Sequence, residues 1–205
     1  MNKLAFGAAI AALSLGTSGA ALAQRAPGAV IVVVDTDRVY RDCTACRAAQ
    51  TQLQAQITTA QQRAQQLGQP IQTEAQSIQQ AAQAARTATG AAKTTAETAL
   101  QQRVQTLQQR ETAANQELQR LEQNIQSTRQ NVLQQINVRL NPIINQVMTQ
   151  RGANVALDVN ATLARAQGID VTDAVLAALN QQLPSVSATP LPQGQQPAQP
   201  QPQGR

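Results

Sequence analysis

The chain has 205 residues, 42% hydrophobic, 13% charged and only 1% aromatic, with no His, no Trp, one Phe, one Tyr and a formal net charge of +5. The missing histidine excludes Ser-His-Asp and Cys-His nucleophile systems and imidazole metal ligands, and the missing aromatics leave nothing to build a stacking platform for single-stranded nucleic acid. Gln and Ala each make up nearly a fifth of the residues; both form helices well and fill a large core poorly, so we expect an extended helical protein, no enzymatic activity and no cofactor.

The N-terminus carries export signals. Met1-Asn2-Lys3 is a short positive start, Leu4 to Leu15 an apolar run, and Ala21-Leu22-Ala23 an A-x-A cleavage site before Gln24. Residues 1–23 therefore read as a secretory signal peptide, too short and wrongly flanked for a transmembrane anchor. Gln24 rather than a Cys stands directly after the site, which argues against a lipid anchor.

Ala29 to Val34 is a largely β-branched run ending at Asp35, the pattern of a strand buried on both faces. Asp35-Thr36-Asp37 can then cap a short helix. From about Arg47 the period becomes helical. Leu53, Ile57, Ala60, Ala64, Leu67, Ile71, Ala75, Ile78, Ala82 and Ala85 follow at spacings of four and three, a heptad seam. A second seam runs through Leu100, Val104, Leu107, Glu111, Ala114, Leu118, Leu121, Ile125, Thr128 and Val132. Between them Thr87-Ala88-Thr89-Gly90 offers a reversal. The expected element is an antiparallel coiled-coil hairpin over residues 43–150 with its tip near 87–93 and an outgoing arm roughly 65 Å long at 1.5 Å per residue. Gly68-Gln69-Pro70 is the stronger breaker by composition, but the seam keeps its phase across it, so it reads as a kink within the outgoing arm. Asn141-Pro142 is expected to kink or end the return helix.

This seam is weak. Ala fills half of the outgoing positions, and Glu111 and Thr128 interrupt the return, so little apolar area is buried per turn and the arms should flex. From Cys43 to Gln150 there are nine basic and five acidic residues, so the hairpin carries all the net positive charge of the exported chain. Such a diffuse field attracts anionic partners weakly and in a salt-dependent way, although an ordinary solvated helical surface would look the same.

After Gly152, the stretch from Ala153 to Ala166 reads as two short strands with a turn at Asp158 to Asn160. Asp170 then offers an N-cap with Asp173 three residues later, and Val171, Val175, Leu176 and Leu179 give the following helix an apolar face until Pro184. From 184 to 205 the chain is rich in Pro and Gln and reads as a disordered tail, with a polyproline recognition motif as the alternative. Residues 24–42 and 151–183 thus make a small β-rich body, too small to sustain a core alone, for which self-association is the economical solution.

Cys43-Thr44-Ala45-Cys46 is the one motif with evident chemistry. At a helix start a C-x-x-C pair can form a redox-active disulfide, but a thioredoxin-like enzyme needs a βαβ scaffold that the long heptads exclude. The favoured reading is a local disulfide stapling the hairpin base; free thiols, intersubunit pairs and zinc are the others. Asp35, Asp37 and Asp158 sit at strand ends and ahead of a helix, where caps and turns are the simplest role.

Taken in order, signal peptide, strand ending in Asp, long basic hairpin, Val155-Ala156-Leu157-Asp158-Val159-Asn160-Ala161 and Gly168-Ile169-Asp170-Val171-Thr172-Asp173-Ala174-Val175-Leu176, the chain resembles the Skp/OmpH family of periplasmic chaperones from about Val30 to Gln182. The resemblance implies an α+β, mostly α, homotrimer whose three bodies associate and whose hairpins project like tentacles around a cavity. It implies a periplasmic holdase that binds unfolded outer-membrane proteins there without ATP; the scattered Arg charges add weak contact with anionic membrane lipid, and the missing aromatics leave no nucleic-acid partner. On that reading Arg63, Arg86, Lys93, Arg103 and Arg110 are the hairpin charges facing the client. Family tentacles are typically richer in Lys, and a lipopolysaccharide site cannot be transferred residue by residue. A scaffolding periplasmic coiled coil that binds one folded partner is the competing function.

Overall fold

The computed structural model describes residues 28–192, so the signal peptide and residues 193–205 of the tail lie outside the described residues. Strand β1 (Ile31–Val34) leads into helix α1 (Thr36–Asp42), then α2 (Thr44–Thr87) and α3 (Gly90–Gln150), strand β2 (Val155–Asp158) and helix α4 (Thr172–Gln182).

β1 and β2 pair in parallel, Ile31 opposite Val155 and Val34 opposite Asp158, so the whole hairpin is the crossover between them. The Val155 N–H donates to the Val30 carbonyl, whereas the Val171 N–H donates to the Val33 carbonyl. Carbonyls of opposite parity face opposite edges of a strand, so β1 is flanked on both sides and its Val32, Val33 and Val34 are buried, as the β-branched run predicts.

Only one strand forms between Ala153 and Ala166, where the sequence suggests two. After Asp158 the chain makes single 3-10 turns at Val159–Ala161 and Gln167–Ile169. Asp158 Oδ1 accepts from the Asn160 N–H (2.7 Å), an Asx turn that bends the chain off the sheet, and Leu163 beyond it is fully exposed with no face to pack on. The α4 cap also differs from expectation. Helix α4 starts at Thr172, and Asp170 Oδ1 accepts from both the Thr172 N–H (3.0 Å) and its hydroxyl (2.6 Å). Asp173 turns away to Arg38 Nη2 (2.6 Å) and leaves no capping box.

Proline does not break either arm. Pro70 lies inside α2 and Pro142 inside α3, and α3 runs unbroken for 61 residues. Leu140, Ile143 and Val147 bury one face of α3 on both sides of Pro142 and hold the helix in place. The carbonyl that Pro142 deprives of a donor belongs to Val138, an exposed residue, so the lost bond falls on the solvent side of the helix. The helix stops at Gln150, and Gly152 just beyond its C-cap Arg151 takes a φ of +66°, which is open to glycine at no steric cost.

One core forms where these elements meet. Val32, Val34, Val39, Ile136, Leu140, Ile143, Val171, Val175 and Leu179 make a continuous cluster at the hairpin base. Three aspartates tie its rim together. Asp35 Oδ1 caps α1 through the Arg38 N–H (2.8 Å), Asp37 Oδ2 accepts from Asn160 Nδ2 (3.0 Å), and Asp158 Oδ2 accepts from the Thr36 hydroxyl and N–H.

The Thr36 hydroxyl, aided by backbone N–H groups, holds the Asp158 carboxyl below its ordinary range against the opposing effect of burial, and the Thr172 hydroxyl does the same for Asp170. A carboxylate depressed on folding stabilises fully above its unfolded pKa of about 4 and loses that contribution as pH falls through the folded value. Urea midpoints should therefore be flat from pH 7 to about 5 and fall below about pH 4. Asp158→Asn should cost roughly 1.5 kcal/mol at pH 7 and reduce the acid slope.

Candidate functional site

The hairpin offers the largest surface. Every outgoing seam residue from Leu53 to Ala85 is at least half-buried, and on the return seam Glu111 alone is exposed. Thr128 is fully buried, its hydroxyl satisfied by the Asn124 carbonyl (2.8 Å) within its own helix. The reversal falls at Ala88 and Thr89, with Gly90 at φ +61° opening α3.

Two of the five hairpin charges singled out by sequence bridge the arms. Arg63 makes a forked contact with Glu117 (2.7 and 3.2 Å). Arg103 reaches back to Glu74 (2.9 Å) and Ser77 (2.8 Å). Residue numbers rise along one arm as they fall along the other, which establishes the antiparallel pairing. The hydrogen bond from Arg63 holds Glu117 below its ordinary range, and that from Arg103 does the same for Glu74, so both clasps loosen in acid. Lys93 lies 4.0 Å from Glu97 on the same helix, a weak surface pair. Arg86 and Arg110 are exposed and make no ion pair among the described residues.

Near the base an open cleft of about 340 Å³ lies between α1, α2 and α3. Its floor is Tyr40, Leu53, Ile57, Val132, Leu133 and Ile136, and its rim includes Gln50, Gln54 and Arg129. Leu133 is 44% exposed there. The heptad pattern supplies Leu53, Ile57 and Val132 of this floor and misses Leu133, an apolar residue directly after Val132 that falls outside the period. The tyrosine hydroxyl donates to Asn137 Oδ1, fixing the ring against α3.

Cys43 and Cys46 are joined in a disulfide with Cα atoms 5.0 Å apart. Cys43 is the N-cap of α2, its sulfur accepting from the Cys46 N–H (3.0 Å), and both residues are at most 2% exposed. Burial keeps them from exchange with a bulky partner thiol and gives them a structural place between α1 and α2. So short a loop constrains the unfolded chain little. Cys43→Ser/Cys46→Ser should lower stability by roughly 1.5 kcal/mol in chemical denaturation while leaving hairpin helicity unchanged by circular dichroism.

The sequence reading places a disordered tail at residues 184–205. In its described part, residues 184–192 pack on the hairpin base instead, with Ala188 and Leu191 each only 8% exposed. Side-chain amides of the hairpin satisfy backbone groups that composition alone assigns to water. Among the described residues no cluster of three or more His, Cys, Asp or Glu is placed to hold a metal, and no helix is long and apolar enough to cross a membrane.

Comparison with known proteins agrees with this architecture. The model of the family described as outer membrane protein (OmpH-like) matches residues 30–179. A crystal structure of an OmpH-like protein from Caulobacter crescentus CB15 superposes with a TM-score of 0.65 at 23% identity, covering 82% of this chain and 94% of that one. At that identity the superposition speaks for the fold. No curated protein matches the chain.

Proposed function

Since the chain belongs to the OmpH-like family, whose members are chaperones and not enzymes, we propose that it is an ATP-independent periplasmic holdase for unfolded outer-membrane proteins. The observation that carries this reading is the hairpin itself: a long, basic, weakly zipped pair of helices with an open apolar cleft at its root. Half-buried Ala positions let the arms adapt to many apolar segments, and scattered Arg charges attract acidic chains without binding any one tightly. Low affinity per contact permits release without ATP. Of the cationic residues, Arg86 and Arg110 are the best placed to meet client or anionic lipid, and Arg63, Lys93 and Arg103 add to the field while engaged with carboxylates.

The reading includes a homotrimer. β2 has β1 as its only strand neighbour among the described residues, which leaves its outer edge open. Val30, Ile31 and Leu163 expose apolar surface on the same small body. Open edges and exposed apolar side chains both favour association, and three bodies would set three hairpins around a common cavity. Export to the periplasm follows from the N-terminal signal, with cleavage after Ala23.

Titrating a labelled, urea-denatured outer-membrane β-barrel protein into the chain tests the reading. Saturable binding to the denatured form and none to natively folded proteins is expected, whereas affinity for a single native partner alone would favour the scaffolding function. Light scattering should give a solution mass of three chains; a monomer would contradict the shared body.

A further inference from the structure

Residues 184–192 form an extended strap across the hairpin base. Gln56 Nε2 donates to the Ala188 carbonyl (2.9 Å), Asn131 Nδ2 to the Thr189 carbonyl (3.0 Å) and Gln135 Nε2 to the Ser187 carbonyl (3.0 Å). The Ser187 N–H donates to Gln135 Oε1 (2.9 Å) and the Leu191 N–H to Ser127 Oγ (2.8 Å). All five bonds end on strap backbone. Ala188 and Leu191, three residues apart, supply the buried apolar side chains.

A groove that grips main-chain groups and two apolar side chains asks little of sequence, since main-chain bonds supply affinity and side-chain seats supply selectivity. On α3, at 100° per residue, Ser127, Asn131 and Gln135 flank one side of the seam residues Thr128 and Val132, and Leu133 and Ile136 of the open cleft flank the other. The paired helices therefore have two flanks at the base, one filled by the chain itself and one open.

Resting on the chaperone reading above, we infer that the groove over Gln56, Ser127, Asn131 and Gln135 is a binding site for extended, unfolded polypeptide, and that Ser187–Leu191 is its occupant within the chain, displaced by client. Three of the five bonds are solvent-exposed and contribute little each. The strap stays seated because its tether gives it an effective concentration on the order of millimolar. An unfolded client that offers many such segments competes by number.

The test uses the full chain and a fluorescein-labelled peptide with the sequence of residues 185–192. Ala188→Asp/Leu191→Asp releases the strap, and the released chain should bind the peptide at least tenfold more tightly than wild type. Adding Gln56→Ala/Gln135→Ala should abolish that binding. The released chain should also bind a denatured β-barrel protein several-fold more tightly, with excess peptide competing. Equal peptide affinity in wild-type and released chains, no binding by the released chain at millimolar peptide, or unchanged client affinity would each overturn the inference. Peptide binding that follows the expected pattern while no form binds denatured protein would count against the chaperone reading and leave the groove standing. If the charged pair unfolds the body by circular dichroism, Leu191→Ser releases the strap by losing the apolar seat alone and is read by the same criteria.

Discussion

Ile143→Ala is expected to destabilise the protein by about 3 kcal/mol, read as a lowered urea midpoint with little change in slope. Ile143 is fully buried, lies in the cluster with Val39, Leu140, Val175 and Leu179, and sits immediately after Pro142. Deleting its side chain removes transfer energy and opens a cavity where α3 depends on packing to pass a proline. The body is small, so such a loss is a large share of a total stability on the order of 5–15 kcal/mol. Both arms are rooted there, and client binding should fall with the body. Val138→Ala, at a site 63% exposed on the other face of the same helix, should change stability by less than about 0.5 kcal/mol.

Ala64→Leu/Ala75→Leu should have the opposite effect on stability and a harmful one on function. Both positions are half-buried on the outgoing seam. Each leucine adds about three carbons, and burying roughly half of that surface contributes about 1 kcal/mol, so the pair should add about 2 kcal/mol to the hairpin. Slower backbone hydrogen exchange along α2 and α3 would report this. If loose zipping lets the arms adapt, the tightened hairpin should suppress client aggregation several-fold less well, a trade of activity for stability. Full activity in a demonstrably stiffer hairpin would show that flexibility is not used.

The hairpin was the part most open to reading from sequence, because its signal is periodic and local. Leu53 to Ala85 and Leu100 to Val132 locate both seams, and the small residues before Gly90 locate the reversal. The body was harder. The β-branched run announces β1, but the single strand after Gly152 and the 3-10 turns follow from Asp158 bonding to Thr36 and Asn160, and the Thr36 contact spans more than a hundred residues. The hairpin's positive sign is visible in its composition, but the ion pairs by which Arg63 and Arg103 clasp the arms join residues far apart in sequence. The strap was hidden most completely. Pro, Ser and Gln near the C-terminus look like disorder until Gln56, Ser127, Asn131 and Gln135, remote in sequence, supply donors and acceptors for its backbone. Composition describes what a segment can bury by itself and carries no information about a groove made elsewhere.

The most direct test of the holdase function is light scattering from an outer-membrane β-barrel protein diluted out of urea, with and without this protein at several-fold excess. Suppressed scattering that weakens as salt is raised is the predicted result. Scattering unchanged at every ratio would contradict it.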